Sequence, residues 1–357
     1  MTASTSPGST PGPTSRLRAE RIRLAYGERV VVGGGGGLDL AVPDGALTVV
    51  VGPNGCGKST VLRALGRLMR PTAGRVLLDG RAIDSMPTRA VAQQLALLPQ
   101  SPTAPEGLTV RDLVARGRHP HQRWFSTASA ADEDAVARAL GRVGMLDLAD
   151  RVVDELSGGQ RQRAWIALAL AQETDLLLLD EPTTYLDLNH QLEVLDLVHE
   201  LVHPSGAGGA EGGEGAEGSG GRTAVAVLHD LNLTARYADH VVAVKEGAVV
   251  AAGTPAEVFT EELLEQVFSV RARVLEDPVA GGPLIVPLAG RHATAAPQAH
   301  DDEQPSQPSQ PGEPGQGPVL SVVQETRPAP STASSTAPPT GPQHSHPSTP
   351  VTSGAPR

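Results

Sequence analysis

The sequence predicts an α/β fold with a parallel central sheet. Strand-sized apolar segments alternate with helix patterns along most of the 357-residue chain, as in parallel sheets whose strands are joined by helices. One of these segments, at 46–52, runs into a glycine-rich loop and then directly into a helix pattern. A helix-rich stretch at about 101–173 interrupts the alternation and indicates an inserted helical subdomain.

The individual elements follow from local composition. Short apolar runs rich in Val and Leu are typical of buried strands, and they lie at 46–52, 75–80, 95–99, 175–181 and 223–229. Helix patterns lie at 58–69, 109–118, 128–143, 188–201 and 231–238. The first of these helices is predicted to stop before Pro71, because proline and the residue before it disfavour helical geometry.

Low-complexity segments set the limits of one predicted folded domain at 17–290. Residues 1–16 are rich in Ser, Thr, Pro and Gly, and residues 291–357 are rich in Pro, Ser and Gln with few apolar clusters, so both are predicted to be disordered. Residues 204–221 form a Gly- and Glu-rich insertion that predicts a flexible loop. Five consecutive glycines at 33–37 interrupt an early β-like region.

Composition argues against several classes of protein. The formal net charge of −11 argues against non-specific binding of nucleic acid, which needs concentrated Lys and Arg. Cys56 is the sole cysteine, so no intrachain disulfide can form, and this fits a reducing compartment. The N-terminus lacks the basic and apolar regions of a secretory signal, and no apolar run reaches the length of a membrane-spanning helix.

The glycine-rich loop predicts a phosphate-binding site. "GPNGCGKST" at 52–60 fits the pattern G-x-x-x-x-G-K-[ST] and lies between a strand and a helix, the context that supports the motif. Glycines let backbone N–H groups turn inward around phosphate oxygens, and the helix N-terminus adds a positive end. Lys58 is predicted to reach the β- and γ-phosphates, and Ser59 to ligate Mg²⁺.

Polar residues at the ends of three other predicted strands complete a nucleotide-hydrolysing site. Asp180 is predicted to hold Mg²⁺ directly or through water, and Glu181 to polarise the water that attacks the γ-phosphate. His229 is predicted to contact the γ-phosphate or orient the water, and Gln100 to touch Mg²⁺ or the water through its amide. Taken singly, each of these residues also fits an ordinary structural role.

The order of the motifs is more specific than any one of them. The phosphate loop, Gln100, "LSGGQ" at 156–160, "LLLLDEP" at 176–182 and His229 occur in the order found in ABC-type ATPases. The resemblance covers about residues 17–288. It implies a P-loop NTPase core with a parallel sheet, an antiparallel β subdomain and an inserted helical subdomain.

The resemblance also implies how two separated phosphate-facing motifs work together. In this family two ATPase chains dock head to tail, and the "LSGGQ" signature of one chain caps the γ-phosphate of ATP held by the other. Tyr26 matches the aromatic residue that stacks on adenine, and Asp187 matches the loop that couples the two ATP sites. A plain helix cap leaves Gln160 unexplained. The residues implied to contact nucleotide are Tyr26, Gly52, Pro53, Asn54, Gly55, Cys56, Gly57, Lys58, Ser59, Thr60, Ser157, Gly158, Gly159, Gln160 and Asp187.

Three segments resemble the ATPases of iron-siderophore importers in particular. They are residues 114–124, 180–191 and 267–288, and the cobalamin and haem importers are close relatives. The resemblance implies ATP and Mg²⁺ as cofactors, integral-membrane permease subunits as partners, an indirect link to a substrate-binding protein, no nucleic acid, and a place on the cytoplasmic face of the membrane. A soluble ABC ATPase acting on ribosomes or DNA, and a generic P-loop nucleotidase, remain as alternatives.

Overall fold

The computed structural model describes residues 15–122, 129–184, 186–204 and 221–288. Both predicted terminal segments lie outside this part of the chain, apart from Ser15 and Arg16, and so does most of the insertion at 204–221. The strands of the described residues are β1 (Leu17–Tyr26), β2 (Arg29–Val32), β3 (Leu38–Val42), β4 (Leu47–Val51), β5 (Ala73–Leu78), β6 (Arg81–Ala82), β7 (Leu95–Leu98), β8 (Leu176–Asp180), β9 (Thr223–Val227), β10 (His240–Lys245), β11 (Ala248–Gly253), β12 (Ala272–Glu276) and β13 (Pro283–Pro287). The helices are α1 (Lys58–Leu65), α2 (Thr88–Ala92), α3 (Val110–Ala115), α4 (Ala130–Arg142), α5 (Gly158–Ala171), α6 (Leu188–Val202), α7 (Leu231–Tyr237), α8 (Pro255–Val258) and α9 (Glu261–Phe268).

The central sheet has the strand order β11-β10-β4-β9-β8-β7. All of its neighbouring pairs are parallel except β10 with β11, which is antiparallel. Every residue of β4, β8 and β9 is buried, as expected for strands covered on both faces. This sheet confirms the predicted α/β fold class.

A second, antiparallel sheet is built from strands that lie on both sides of the phosphate loop in the sequence. Strand β1 pairs with β2, β3 and β5, and β5 continues the sheet to β6. The five glycines at 33–37 connect β2 to β3 without removing either strand, and Gly33 N donates to Gly247 O at 2.8 Å. The glycine insertion is therefore accommodated at the rim of this sheet.

Helices α3 and α4 both pack against α5, so the helix-rich stretch forms one packed group. The buried guanidinium of Arg118 ties this group together. Arg118 Nε donates to Asp132 Oδ1 at 3.0 Å, and its Nη1 donates to Ala171 O and to Glu173 Oε2, both at 2.7 Å. Buried charge is tolerated here because every contact is a charged or strongly polar acceptor.

Two helices are shorter than the sequence predicts. Helix α1 ends at Leu65 rather than near Met69, and Arg67 adopts a left-handed backbone with φ of 61°. Gly66 lies where an added Cβ atom would be 3.3 Å from Leu97 Cδ2 and 3.4 Å from Leu178 Cδ1, so this turn packs tightly against β7 and β8. Helix α3 ends at Ala115 and continues only as a 3₁₀ turn through Arg118. The close approach of Gly117 to the backbone oxygen of Leu168 accompanies this tightening.

Candidate functional site

Sheet topology brings the predicted site residues to one edge. Strands β4, β7, β8 and β9 are parallel, so their carboxyl ends lie at the same side of the sheet. The phosphate loop follows β4, and Asp180 is the last residue of β8. Gln100 lies two residues beyond β7, and His229 lies two residues beyond β9. Residues far apart in the sequence are thus neighbours in space.

The phosphate loop has the backbone that a phosphate cradle requires. Gly52 has a φ of 152°, and a Cβ atom there would lie 2.1 Å from the backbone oxygen of Val244. No side chain fits at this position, so the loop can turn tightly away from β4. Gly57, with a φ of 106°, precedes α1 and has no side chain to cap it, so the first N–H groups of that helix have no acceptor within the helix.

Lys58 is buried beneath this loop, with only 5% of its surface exposed. Its Nζ donates to Gly52 O at 2.8 Å and to Pro53 O at 3.0 Å. The ammonium group is therefore held by the loop that would surround the phosphates.

The chain has 29 Lys and Arg residues, of which only Lys58 and Lys245 are lysines. Because the chain uses arginine at nearly all of its other basic positions, the lysine at 58 indicates that this buried position requires a compact ammonium group rather than a larger guanidinium group.

Asp180 is a buried carboxylate with unused coordination capacity. It is 2% exposed, and its Oδ1 has no hydrogen-bond partner among the described residues. Burial raises the pKa of Asp180, and the nearby Ser59 hydroxyl offsets this only in part. A buried oxygen without a partner is costly, and a hard divalent cation is one group that would satisfy it.

Glu181 is the centre of a hydrogen-bonded cluster. Its Oε1 lies 2.8 Å from Nε2 of His229, and its Oε2 accepts from Gln100 Nε2 at 2.6 Å and from Thr184 Oγ1 at 3.0 Å. Burial acts to raise the pKa of Glu181, but the contacts with His229, Thr184 and Gln100 together hold that pKa below its usual value. The carboxylate is thus kept ionised and oriented, as a base requires.

The backbone at Glu181 is also unusual. Its φ of 53° lies in the left-handed region that non-glycine residues rarely adopt. This conformation turns the chain sharply immediately after β8. Backbone strain of this kind is concentrated at functional sites, where the surrounding contacts maintain it.

Ser157 caps helix α5 in the signature motif. Its Oγ accepts from Gln160 N at 3.2 Å, and Gln160 Oε1 accepts from Ser157 N at 3.2 Å. The expectation that a helix cap leaves Gln160 unexplained is wrong, because Gln160 completes a capping box. The N–H groups of Gly158 and Gly159 lie in the first turn of α5, so they have no acceptor within the helix.

Tyr26 and Asp187 lie at the periphery of the site. Tyr26 ends β1, is 50% exposed, and has its hydroxyl 3.4 Å from Arg63 Nη1 on α1. Asp187 caps α6 by accepting from His190 N at 3.0 Å.

The thiol of Cys56, within the phosphate loop, is buried, and burial raises its pKa.

Two residues that contact the predicted ones were not predicted from the sequence. Thr184 donates to Glu181, and the ring of His190 contacts both Asp187 and Gly159. Each lies three residues after an acidic residue that it contacts, a separation at which side chains meet in turns and first helical turns. Residues 123 and 124 of the segment 114–124, and Tyr185 of the segment 180–191, fall outside the described residues.

The sequence of the chain is similar to those of known proteins. Residues 36–184 match the family described as ABC transporter. The chain is 52% identical over 273 residues to the probable siderophore transport system ATP-binding protein YusV of Bacillus subtilis (strain 168), covering 76% of this chain and 93% of that one.

The chain belongs to the ABC transporter family.

Solved structures agree with this membership. A metal-chelate type ABC transporter in an inward-facing conformation has a chain that superposes with a TM-score of 0.63 at 28% identity, covering 77% of this chain and 98% of that chain. The ABC cassette MJ0796, in a dimeric post-hydrolysis state bound to ADP and Pi, superposes with a TM-score of 0.55 at 25% identity, covering 67% and 98% respectively. As a member of this family, the chain is an ATP-binding ATPase.

None of the described helices is both long and apolar enough to cross a bilayer.

Proposed function

We propose that this ABC ATPase is the energising subunit of an importer for iron-siderophore complexes. The observation that carries the proposal is its 52% identity to a siderophore transport ATP-binding protein across 93% of that protein. The chain would act at the cytoplasmic face of the membrane, bound to integral-membrane permease subunits and linked through them to a substrate-binding protein. ATP hydrolysis at the described site would supply the free energy.

Within one chain, the proposed roles follow the geometry of the sheet edge. The phosphate loop and Lys58 would bind the phosphates, with the exposed ring of Tyr26 stacking on adenine. Glu181 would accept a proton from the attacking water. His229, Thr184 and Gln100 would keep its carboxylate ionised and directed toward the site.

The residues around Asp180 fit Mg²⁺. Asp180 offers a buried carboxylate oxygen that has no hydrogen-bond partner in the described part of the chain, Ser59 lies beside it, and Gln100 has an amide oxygen at the same sheet edge. Oxygen ligands of this kind are those that Mg²⁺ prefers. When bound, Mg²⁺ would neutralise charge on the β- and γ-phosphates.

A head-to-tail homodimer would place the signature of one chain on the nucleotide of the other. In its helix cap Ser157 Oγ accepts a hydrogen bond, so its O–H can still donate, together with the N–H groups of Gly158 and Gly159, which have no acceptor within the helix. The dimeric state of the MJ0796 cassette supports this arrangement. In such a dimer each chain contributes to two ATP sites.

Uptake of radioactive iron tests the proposed cargo. Cells lacking this chain would be supplied in turn with hydroxamate chelates, catecholate chelates, haem and cobalamin, and complemented with wild type or with Lys58→Ala. We expect loss of uptake for at least one ferric chelate, restored only by wild type. Unchanged uptake of every ferric chelate, with a defect for haem or cobalamin, would assign the chain to one of those importers instead.

A further inference from the structure

The two glycines of the signature motif have different surroundings. A Cβ atom added to Gly158 would meet no atom of the described residues within 4 Å, apart from its chain neighbours and the backbone of its own helical turn. A Cβ atom added to Gly159 would lie 2.3 Å from Cδ2, 2.8 Å from Cγ and 2.9 Å from Nε2 of His190. All three atoms belong to one imidazole ring, so the ring of His190 occupies the space of a side chain at 159. Gly159 is closed by its own chain, whereas Gly158 faces open space.

The same ring contacts Asp187. His190 Nδ1 lies 2.6 Å from Asp187 Oδ1, and the backbone N of His190 donates to that oxygen at 3.0 Å. Because the carboxylate can only accept, Nδ1 carries the proton in this contact. The backbone N–H of His190, and then its ring, lower the pKa of Asp187. The carboxylate is therefore ionised and held in one orientation.

A second contact lies one turn further along both helices. Arg163 Nη1 on α5 lies 3.8 Å from Glu193 Oε2 on α6, and Asn189 Nδ2 donates to Glu193 Oε1 at 2.8 Å. This partly exposed ion pair is longer than the contact between His190 and Asp187, and it supports the same alignment of the N-termini of α5 and α6. The signature and the loop after β8 are thus joined within one chain.

We propose that His190 is a positioning residue that holds Gly159 and the Asp187 carboxylate in one fixed relation. The inference rests on the proposed dimer, in which both motifs face the second copy of the chain. Movement of either motif would then be transmitted to the other through a rigid ring. His190 itself contacts no nucleotide in this arrangement.

Histidine suits this role for two separate reasons. Its flat ring fills the space beside Gly159, and its Nδ1 reaches the Asp187 carboxylate. Alanine would supply neither property. Asparagine keeps a donor near the Nδ1 position but leaves the space beside Gly159 only partly filled.

A stability cycle tests the contact without involving nucleotide. Gly159→Ala should lower Tm by several degrees because its methyl group overlaps the ring, and His190→Ala added to it should recover much of the loss. Gly158→Ala is the matched control, and its effect on Tm should not depend on residue 190. Equal effects of Gly159→Ala with and without His190 would overturn the contact argument.

ATP-dependent dimerisation tests the positioning role. The parent carries Glu181→Gln to slow hydrolysis, and sedimentation measures the chain concentration that gives half-maximal dimer with ATP and Mg²⁺. We expect His190→Ala to raise this concentration roughly tenfold, and His190→Asn to raise it less. ATP affinity of the dilute monomer should be unchanged, since the phosphate loop is intact. Asp187→Ala and the Asp187→Ala/His190→Ala double variant should show similar, non-additive losses.

His199→Ala is the matched control on the same helix, because its exposed ring packs toward His203 and Tyr237 rather than toward the signature. It should dimerise like the parent. Parent-like dimerisation of His190→Ala would overturn the inference alone. A parent that forms no dimer with ATP would instead overturn the proposed dimer, and the role of His190 with it.

Discussion

The Nε2 atom of His229 lies 2.8 Å from Oε1 of Glu181, and the two residues follow the neighbouring parallel strands β9 and β8. Replacing Glu181 by glutamine keeps the size of the side chain but removes the proton acceptor. We expect kcat for ATP hydrolysis to fall about 10²- to 10⁴-fold, with ATP binding retained. Steady-state turnover and equilibrium binding of a fluorescent ATP analogue would measure the two effects. Turnover within a few-fold of wild type would remove Glu181 from the role of base.

His229→Ala should change the pH dependence of hydrolysis. The contact with His229 is the largest of those that lower the pKa of Glu181, so its removal should raise that pKa. A base with a raised pKa becomes protonated at higher pH. The acidic limb of the pH–kcat profile should therefore move to higher pH, and an unmoved limb would show that another group controls it.

Lys58→Ala should lower ATP hydrolysis by at least about 100-fold, because a charge that stabilises the transition state is lost. Lys245→Ala is the matched control, since Lys245 is the other lysine of the chain and donates to the backbone of Gln266 instead. Kinetics of both purified variants would test the assignment. A comparable loss in Lys245→Ala would indicate general destabilisation rather than lost phosphate contacts.

Mixed dimers test whether the phosphate loop and the signature meet only between chains. One chain carries Lys58→Ala and the other Ser157→Arg, both with Glu181→Gln. The mixed dimer keeps one site with an intact phosphate loop and an intact signature, whereas each homodimer has two damaged sites. We expect crosslinks between a Lys58→Ala chain and a Ser157→Arg chain with ATP and Mg²⁺ but not with ADP. Two differently tagged copies of the same variant should not crosslink. If the mixture gains no dimer over the homodimers, the shared-site arrangement fails.

Asp180→Asn should raise the thermal stability of the protein and abolish its ATP hydrolysis. The raised pKa of Asp180 means that the folded chain binds this proton more tightly than the unfolded chain. Stability therefore falls as pH rises through the carboxyl range, and the cost is fully present at neutral pH. Removing the charge should raise Tm of the nucleotide-free protein by a few degrees and abolish Mg²⁺-dependent hydrolysis.

Calorimetry at pH 7 with EDTA would measure the change in Tm, and the difference from wild type should shrink as the pH is lowered. Asp187→Asn, at an exposed helix cap, is a suitable comparison because the pKa of Asp187 is shifted in the opposite direction. A lower Tm for Asp180→Asn at pH 7 would contradict the argument that the buried charge is costly.

Local features of the site were predictable because contiguous residues encode them. The phosphate loop needs only its own glycines, the preceding apolar strand and the following helix, and Gly52 to Ser59 supply the pattern in one segment. The buried strand that ends in Asp180 was likewise evident from four consecutive leucines. The resemblance to ABC ATPases then implied roles for Ser157 and Asp187 that neither residue reveals by itself.

The sequence by itself thus determined the α/β class, the phosphate loop and the carboxylates of the site. Tertiary structure alone decided which side chains meet. Gln100 reaches Glu181 across 81 positions of the chain, because the strand order places β7 beside β8. The contact of His190 with Gly159, and the early end of α1 at Leu65, likewise depend on packing between separate elements. Alternation of strands and helices predicts a parallel sheet but carries no information about strand order, and side-chain contacts across a sheet follow from that order.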